Sequence, residues 1–389
     1  MGAWASKSKN ILDSHVHMGP ISDEKALLDI CAATGISRMV LVAIQDAATG
    51  DGLPQALYMK ARHPEKFYVF AGLNHGARLA RVLPKAAGEV STPSLARQVD
   101  SFVEMGCDGI KMIEGKPTWR QTLDIPVTDP YFEPYWTRVE EVDLPLVWHV
   151  NDPEEFWDPE LTPEWAKSRG WGYGPEDVKK EDLYAEVAEV LRRHPGLRVV
   201  FAHFYFLSAD LPRASRFLDE HPRVNLDLTP GIEMLYNISR DPEAGREFFI
   251  KYADRIVFGT DIWSGMGTAA AAERAGIIYR WLESGDTFTV GEDADFLLGG
   301  PEDGVIRGMS LPADVLAKIH GGNMTRLAAA DPEGRPGAAP KPLDLAACIA
   351  QCEGIAAIAE AISGQSAADP EGRPAESEAA MVARALRKM

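Results

Sequence analysis

The chain has 389 residues, of which 46% are hydrophobic and 25% charged, a balance that excludes collagen-like or wholly disordered architecture. Its formal net charge of −18 argues against a nucleic-acid backbone or an anionic membrane surface as partner. Four cysteines make no disulfide framework in so long a chain, the N-terminus lacks an apolar leader core, and no apolar run reaches the length of a membrane span, so the expected setting is the cytoplasm.

Apolar runs alternate with amphipathic stretches along the chain. Residues 11–17 read as a strand followed by a helix over 23–34. A second strand is expected over 38–44 with a helix at 53–62, and a third over 67–73 (FYVFAGL) with a helix at 93–105 opened by the Ser91-Thr92 cap signal. Further strands fall at 109–113, 144–150 (LPLVWHV), 197–203 (LRVVFAH), 224–228 (VNLDL) and 255–260 (RIVFGT). Near-continuous Val, Ile, Leu and Phe runs belong to strands buried on both faces, hence to a parallel sheet. Eight such units predict a (β/α)8 barrel; a doubly wound sheet would want a Gly-rich phosphate loop after the first strand, where His-Val-His stands instead.

Two departures from a plain barrel are visible. After the fifth strand an insertion, residues 151–180, carries Phe156, Trp157, Trp165, Trp171 and Tyr173 and would overhang the mouth as a lid, or pack on the rim or a second subunit. From residue 328 the composition turns to Ala, Pro, Gly and Glu, with the octapeptide AADPEGRP at 329–336 and again at 367–374, flanking a helix-like stretch over 343–362. The expected organisation is a barrel domain over 1–327 and a C-terminal helical extension over 328–389, and the Ala-rich tail is compatible with a homodimer.

The chemistry concentrates in Asp13-Ser14-His15-Val16-His17. In an extended strand His15 and His17 share a face and can hold one metal ion from one side. His149 after LPLVW, His203 after RVVFA and Asp261 after RIVFGT end other strands at the same barrel face, where barrel active sites form. His63, His194 and His221 each precede Pro at helix ends and read as surface turns, whereas His75 follows the third strand and could reach the mouth. Asn225 and Asp227 alternate along the seventh strand and belong to the pocket floor if that face is inward.

DSHVH, WHV, FAH, FGTD and the late IHGGNMTRL together resemble the amidohydrolase superfamily, in the branch that includes aminocarboxymuconate semialdehyde decarboxylase, resorcylate-type decarboxylases and several amidohydrolases and lactonases. The resemblance implies that His15, His17, His149 and Asp261 bind a single divalent ion, with His203 as the catalytic imidazole. Lys111, in the fourth strand, matches a position that is carboxylated in binuclear relatives; here it reads as an anchor for an anionic substrate or a partner of Glu114.

Imidazoles with one carboxylate suit Zn²⁺, and Mn²⁺ is the alternative. Such an ion lowers the pKa of water from 15.7 towards ~7, Asp261 can take the proton, and His203 can polarise the carbonyl under attack. The first reading is therefore hydrolysis of an amide, cyclic amide or lactone. The rival is nonoxidative decarboxylation of an aromatic or unsaturated acid, with Asp261 or His203 as proton donor. For the small-molecule substrate, the run Phe204-Tyr205-Phe206 beside His203, with Phe204 as the expected contact, and the aromatic-rich insertion with Trp157 favour a flat or apolar body, and Lys111 and Arg120 can hold an anion. Asn151 and Asp152, just past His149, can orient that ring or serve the loop's turn.

Overall fold

The computed structural model describes the chain except residues 1–3, 47–49, 77, 80–91, 293, 301–302, 329–338 and 364–375. Ser91 and both octapeptide copies lie outside the described residues. The apolar runs form one parallel sheet from β1 (Ile11–His17), β2 (Ile36–Val42), β3 (Phe67–Gly72), β4 (Gly109–Gly115), β5 (Leu146–Val150), β6 (Val199–Phe201), β7 (Val224–Asp227), β8 (Ile256–Val257) and β9 (Ile262–Trp263).

From β1 to β8 each strand pairs with the one before it, and β9 returns to β1, setting Val16 beside Ile262 and His17 beside Trp263. β8 and β9 are two pieces of one interrupted strand. Across the interruption the Ser14 N–H donates to the Phe258 carbonyl at 2.9 Å and the Asp261 N–H donates to the His15 carbonyl at 3.0 Å. The ring closes as the (β/α)8 barrel that the alternation of runs predicts.

Strand alternation sorts the side chains into two layers. Val40, Val42, Tyr68, Phe70, Val147, Val200 and Val257 fill the interior with Leu12, against Met324 and Leu327 of a short helix, Asn323–Ala328. Their neighbours Met39, Leu41, Val69, Met112, Trp148 and Phe201 face outward to the helices. In β1, Leu12 lies in the inner layer and Val16 in the outer one, which strict alternation forbids. A register shift between Asp13 and Val16 in the β1–β2 ladder reverses the sense, and so turns His15 and His17 inward above Leu12. Asn323 donates to the carbonyls of Ala253 and Ile256 at 2.7 Å each, tying the late helix to the barrel.

The helices follow the strands: α1 (Glu24–Thr34), α2 (Leu53–Arg62), α3 (Leu95–Met105), α4 (Glu133–Val142), α5 (Lys180–Arg193), α6 (Leu211–Glu220), α7 (Pro242–Lys251) and α8 (Thr268–Glu283). Helix α3 opens at Ser94, whose side chain accepts from the Arg97 N–H. Two C-terminal helices, α9 (Leu345–Ser363) and α10 (Glu378–Leu386), pack on each other and on α2 and α3. Cys348 and Cys352 are buried in α9. Among the described residues no helix is long and apolar enough to cross a membrane.

The insertion after β5 has a core of its own, Phe156, Ala166 and Tyr173, surrounded by Trp157, Trp165 and Trp171. The Trp165 ring reaches Phe296 from the far side of the mouth, 4.9 Å between centroids.

Candidate metal centre and its pocket

His15, His17 and Asp261 each bring one donor atom within 4.8 Å of the others'. Two of them stand on β1; Asp261 sits in the break between β8 and β9, with φ of 57°. His17 Nε2 lies 3.1 Å from Asp261 Oδ1 and His15 Nε2 lies 3.7 Å from it. Asp13 braces this corner from behind, accepting from the His15 and Thr260 N–H groups and from the Thr260 hydroxyl at 2.5 Å.

The donor set fits a divalent first-row ion. His15 Nδ1 is 3.0 Å from Asp227 Oδ2; a carboxylate only accepts, so Nδ1 carries the proton and Nε2 keeps its lone pair towards the cluster. Burial, then the Lys111 charge, hold the His15 imidazole well below its ordinary pKa, so it is a neutral ligand. Burial alone would raise the Asp261 carboxyl, but the hydrogen bond from His17 and the neighbouring imidazoles hold it well below the usual range, as an anion. Asp227 is fixed in turn by the N–H groups of His203 and Thr229, at 2.8 and 3.0 Å.

The opposite wall is built differently. His149 on β5 faces the same cavity, yet its Nε2 donates to the Asn151 carbonyl at 2.9 Å, with Asp152 Oδ1 at 3.4 Å. Its ring therefore stands outside the three-residue cluster, with Nδ1 as its free lone pair. His203 packs edge-on to it, 4.6 Å between centroids. The His203 Nδ1 is 3.1 Å from the Pro230 carbonyl, so Nδ1 holds the proton and Nε2 is the acceptor. Burial pushes both imidazoles down to about 4.

The sixth strand stops at Phe201, two residues short of His203, because His203, Phe204, Tyr205 and Phe206 all adopt positive φ, between 50° and 57°. For L-residues this costs ~1–2 kcal/mol each. The turn is held by the Tyr184 hydroxyl, which donates to the Tyr205 and Phe206 carbonyls at 3.0 and 3.2 Å. It sends Phe204 outward against Phe248 and Phe249, and lays Phe206 over His203 at 5.2 Å and 24°.

The cavity between the two walls encloses about 660 Å³, open mouth included, under Phe156, Trp165 and Trp171 of the insertion. Lys111 lies deep in it, its Nζ 3.0 Å from His15 Nε2, and burial pushes its amine down to about 8. Glu114 is engaged elsewhere, accepting from buried His75 at 2.7 Å. Lys116, one residue past β4, enters the cavity beside Asp152.

Of the substrate-contacting residues expected from sequence, Lys111 lines this cavity; Phe204, Asn151 and Trp157 do not. Phe206 takes the place expected of Phe204. Asn151 is buried, at φ of 69°, with its amide donating to the Lys180 carbonyl, and the Trp157 indole donates to the Val178 carbonyl. Arg120 pairs with Glu186 at 3.0 Å, away from the cavity lining. Lys116 went unremarked in the sequence, although a polar residue just beyond a barrel strand's carboxyl end is the available signal.

A closed parallel barrel gathers two histidines of an H-x-H pair and an aspartate, which could together hold a metal ion, at the carboxyl ends of its strands, the face where barrel enzymes carry their active sites. The amidohydrolase family model matches residues 13–327, and the chain belongs to that family. No curated protein matches the chain. Among solved structures, one described as an amidohydrolase II is 11% identical with a TM-score of 0.50, covering 82% of this chain and 99% of its own. A 2,6-dihydroxybenzoate decarboxylase from Rhizobium is 15% identical, covering 82% and 98%, with a TM-score of 0.49. A 5-carboxyvanillate decarboxylase from Novosphingobium aromaticivorans, complexed with manganese, is 11% identical, covering 84% and 98%, with a TM-score of 0.45. At these identities the likeness is one of fold.

Proposed function

We propose that this enzyme is a metal-dependent nonoxidative decarboxylase of an aromatic acid bearing a ring hydroxyl, using Zn²⁺ or Mn²⁺. One observation carries the reading: the charge and walls of the cavity. Lys111 and Lys116 are balanced by Asp152 and Asp261, and the buried His15, His149 and His203 are held neutral. A divalent ion adds two positive charges inside a chamber walled by aromatic rings; buried Asp227, 3.0 Å from His15 Nδ1, offsets one of them, and an anionic, flat substrate supplies the balance.

His15, His17 and Asp261 would hold the ion, with His149 next to them, and when bound it supplies Lewis acidity for polarising substrate oxygens. The residues of the chain do the rest. Phe206, Trp165 and Trp171 line the cavity and confine a planar ring. His203 Nε2 accepts the hydrogen bond of the ring hydroxyl and draws electron density into the ring. Asp261 passes a solvent-derived proton to the ring carbon bearing the carboxylate. The bond from that carbon to the carboxylate then breaks, its electron pair restores the aromatic ring, and CO₂ leaves.

Hydrolysis of an acidic ring amide would use the same side chains, so the deciding experiment offers both. The protein loaded with Zn²⁺ or Mn²⁺ is incubated with hydroxybenzoates, including 2,6-dihydroxybenzoate and 5-carboxyvanillate, and with cyclic amides and lactones. Release of CO₂ with loss of the ring carboxylate is expected. Ring opening of an amide or lactone without CO₂ would replace this reading by the hydrolytic one.

A further inference from the structure

Lys116 is a nearly buried cation that lines the cavity beside Trp171 of the insertion. Its Nζ donates to Asp152 Oδ1 at 2.5 Å and lies 4.3 Å from the centre of the Trp171 ring. An ammonium has three N–H bonds. One is spent on Asp152, the Trp171 face covers a second direction, and among the described residues Nζ has no other hydrogen bond, although the residue lines the cavity.

Asp152 does not belong to Lys116 alone. Its Oδ2 accepts the Tyr173 hydroxyl at 2.5 Å, and its Oδ1 is 3.4 Å from His149 Nε2. The carboxylate is shared among three donors, so Lys116 has no acceptor to itself. Lys111 and Lys116 both come from the end of β4, one deep beside His15 and one under the insertion. Both cations line the space in which a ring would lie.

We propose that Lys116, covered by Trp171, is a specificity-determining residue that reads a second acidic substituent on the ring, on the side of the cavity formed by Asp152 and the insertion. The inference rests on the aromatic-acid reading above. A monoacid leaves Lys116 unengaged; a ring with a second acidic group is selected. A charge-assisted hydrogen bond in a desolvated site corresponds to a preference of about 10- to 100-fold.

The test is binding to the Mn²⁺-loaded protein, followed by calorimetry and by tryptophan fluorescence, with benzoate, phthalate, isophthalate and terephthalate as probes. At least one diacid is expected to bind about 10-fold or more tightly than benzoate. In Lys116→Met that preference shrinks to less than about threefold while benzoate binding is kept, and Lys116→Arg restores it in part. Removing the cation leaves a buried carboxylate short of a partner. The double variant Lys116→Met/Asp152→Asn is therefore measured alongside, and the same loss of preference is expected there. No diacid preference in the native protein, no binding of any ring acid, or a preference that survives in both methionine variants would overturn the proposal. Lys116-dependent diacid binding with no CO₂ from any ring acid would strike the decarboxylase reading and leave Lys116 its role. CO₂ release with diacid preference indifferent to Lys116 would do the reverse.

Discussion

The two walls of the cavity hold their histidines by different means. On the wall of β1 and the interrupted eighth strand, His15 and His17 ride a strand set by its ladder, its register shift and Asp13, which accepts from the His15 N–H, while Asp227 holds the His15 imidazole. On the wall of β5 and β6, His149 and His203 sit at strand ends where the chain turns at once, through Asn151 at positive φ and through four successive residues at positive φ. The first wall gathers donors into one cluster; the second leaves each ring hydrogen-bonded to a backbone carbonyl. A rigid ladder suits the placing of ligands, and a turn that ends a strand early suits the presentation of a side chain to whatever the ligands hold.

Substitutions can break this division. The largest effect is expected on the ladder wall: His15→Ala or Asp261→Asn should lower metal content from about one equivalent per chain to below about a third, with turnover lost, as read by elemental analysis of the purified protein. Retention of a full equivalent in both would dissolve the contrast. On the turn wall, His203→Asn should keep its metal yet depress turnover by about 10² or more. Normal turnover there would remove His203 from the chemistry.

Asp227 joins the walls, accepting from His15 Nδ1 and from the His203 N–H. Asp227→Asn should weaken metal affinity by about 10- to 100-fold, measured by competition with a chelator. The smallest effect concerns pH. Glu233, two residues past Gly231 on the turn wall, has its Oε2 buried without a partner, and burial pushes its carboxyl up to about 8 from 4.5. The folded state holds that proton more tightly than the unfolded one, so the stabilisation is complete below about 4.5 and fades as pH rises through about 8. The drop in melting temperature from about pH 6 to about pH 9 should therefore be smaller in Glu233→Gln than in the native protein. An equal drop in both would remove Glu233 from the account.

The same division explains what the sequence disclosed. Ladder features were legible: the eight apolar runs, their parallel pairing and the single face shared by His15 and His17 follow from periodicity, which is local, whereas the inward turn of that face follows from the register shift in β1. The inward face of the seventh strand was legible as a possibility, and Asp227 lies on it, bonded to His15. Turn features were not. No glycine marks residues 203–206, so nothing local announced that the strand would end at Phe201, that Phe204 would leave the cavity or that Phe206 would enter it. The hub of Asp152, Tyr173 and Lys116 joins residues 36 and 21 positions apart in sequence, beyond the range of any periodic pattern. Within the insertion, aromatic content was visible, but packing alone decides that Phe156, Trp165 and Trp171 face the cavity while Trp157 is tied to Val178.

The most direct test of the metal centre is diffraction from crystals of the Mn²⁺- or Zn²⁺-loaded protein at the absorption edge of the metal. The account predicts one anomalous peak within bonding distance of His15, His17 and Asp261, with His149 facing it. A peak remote from those three side chains, or none in crystals of protein that carries a full equivalent of metal, would contradict it.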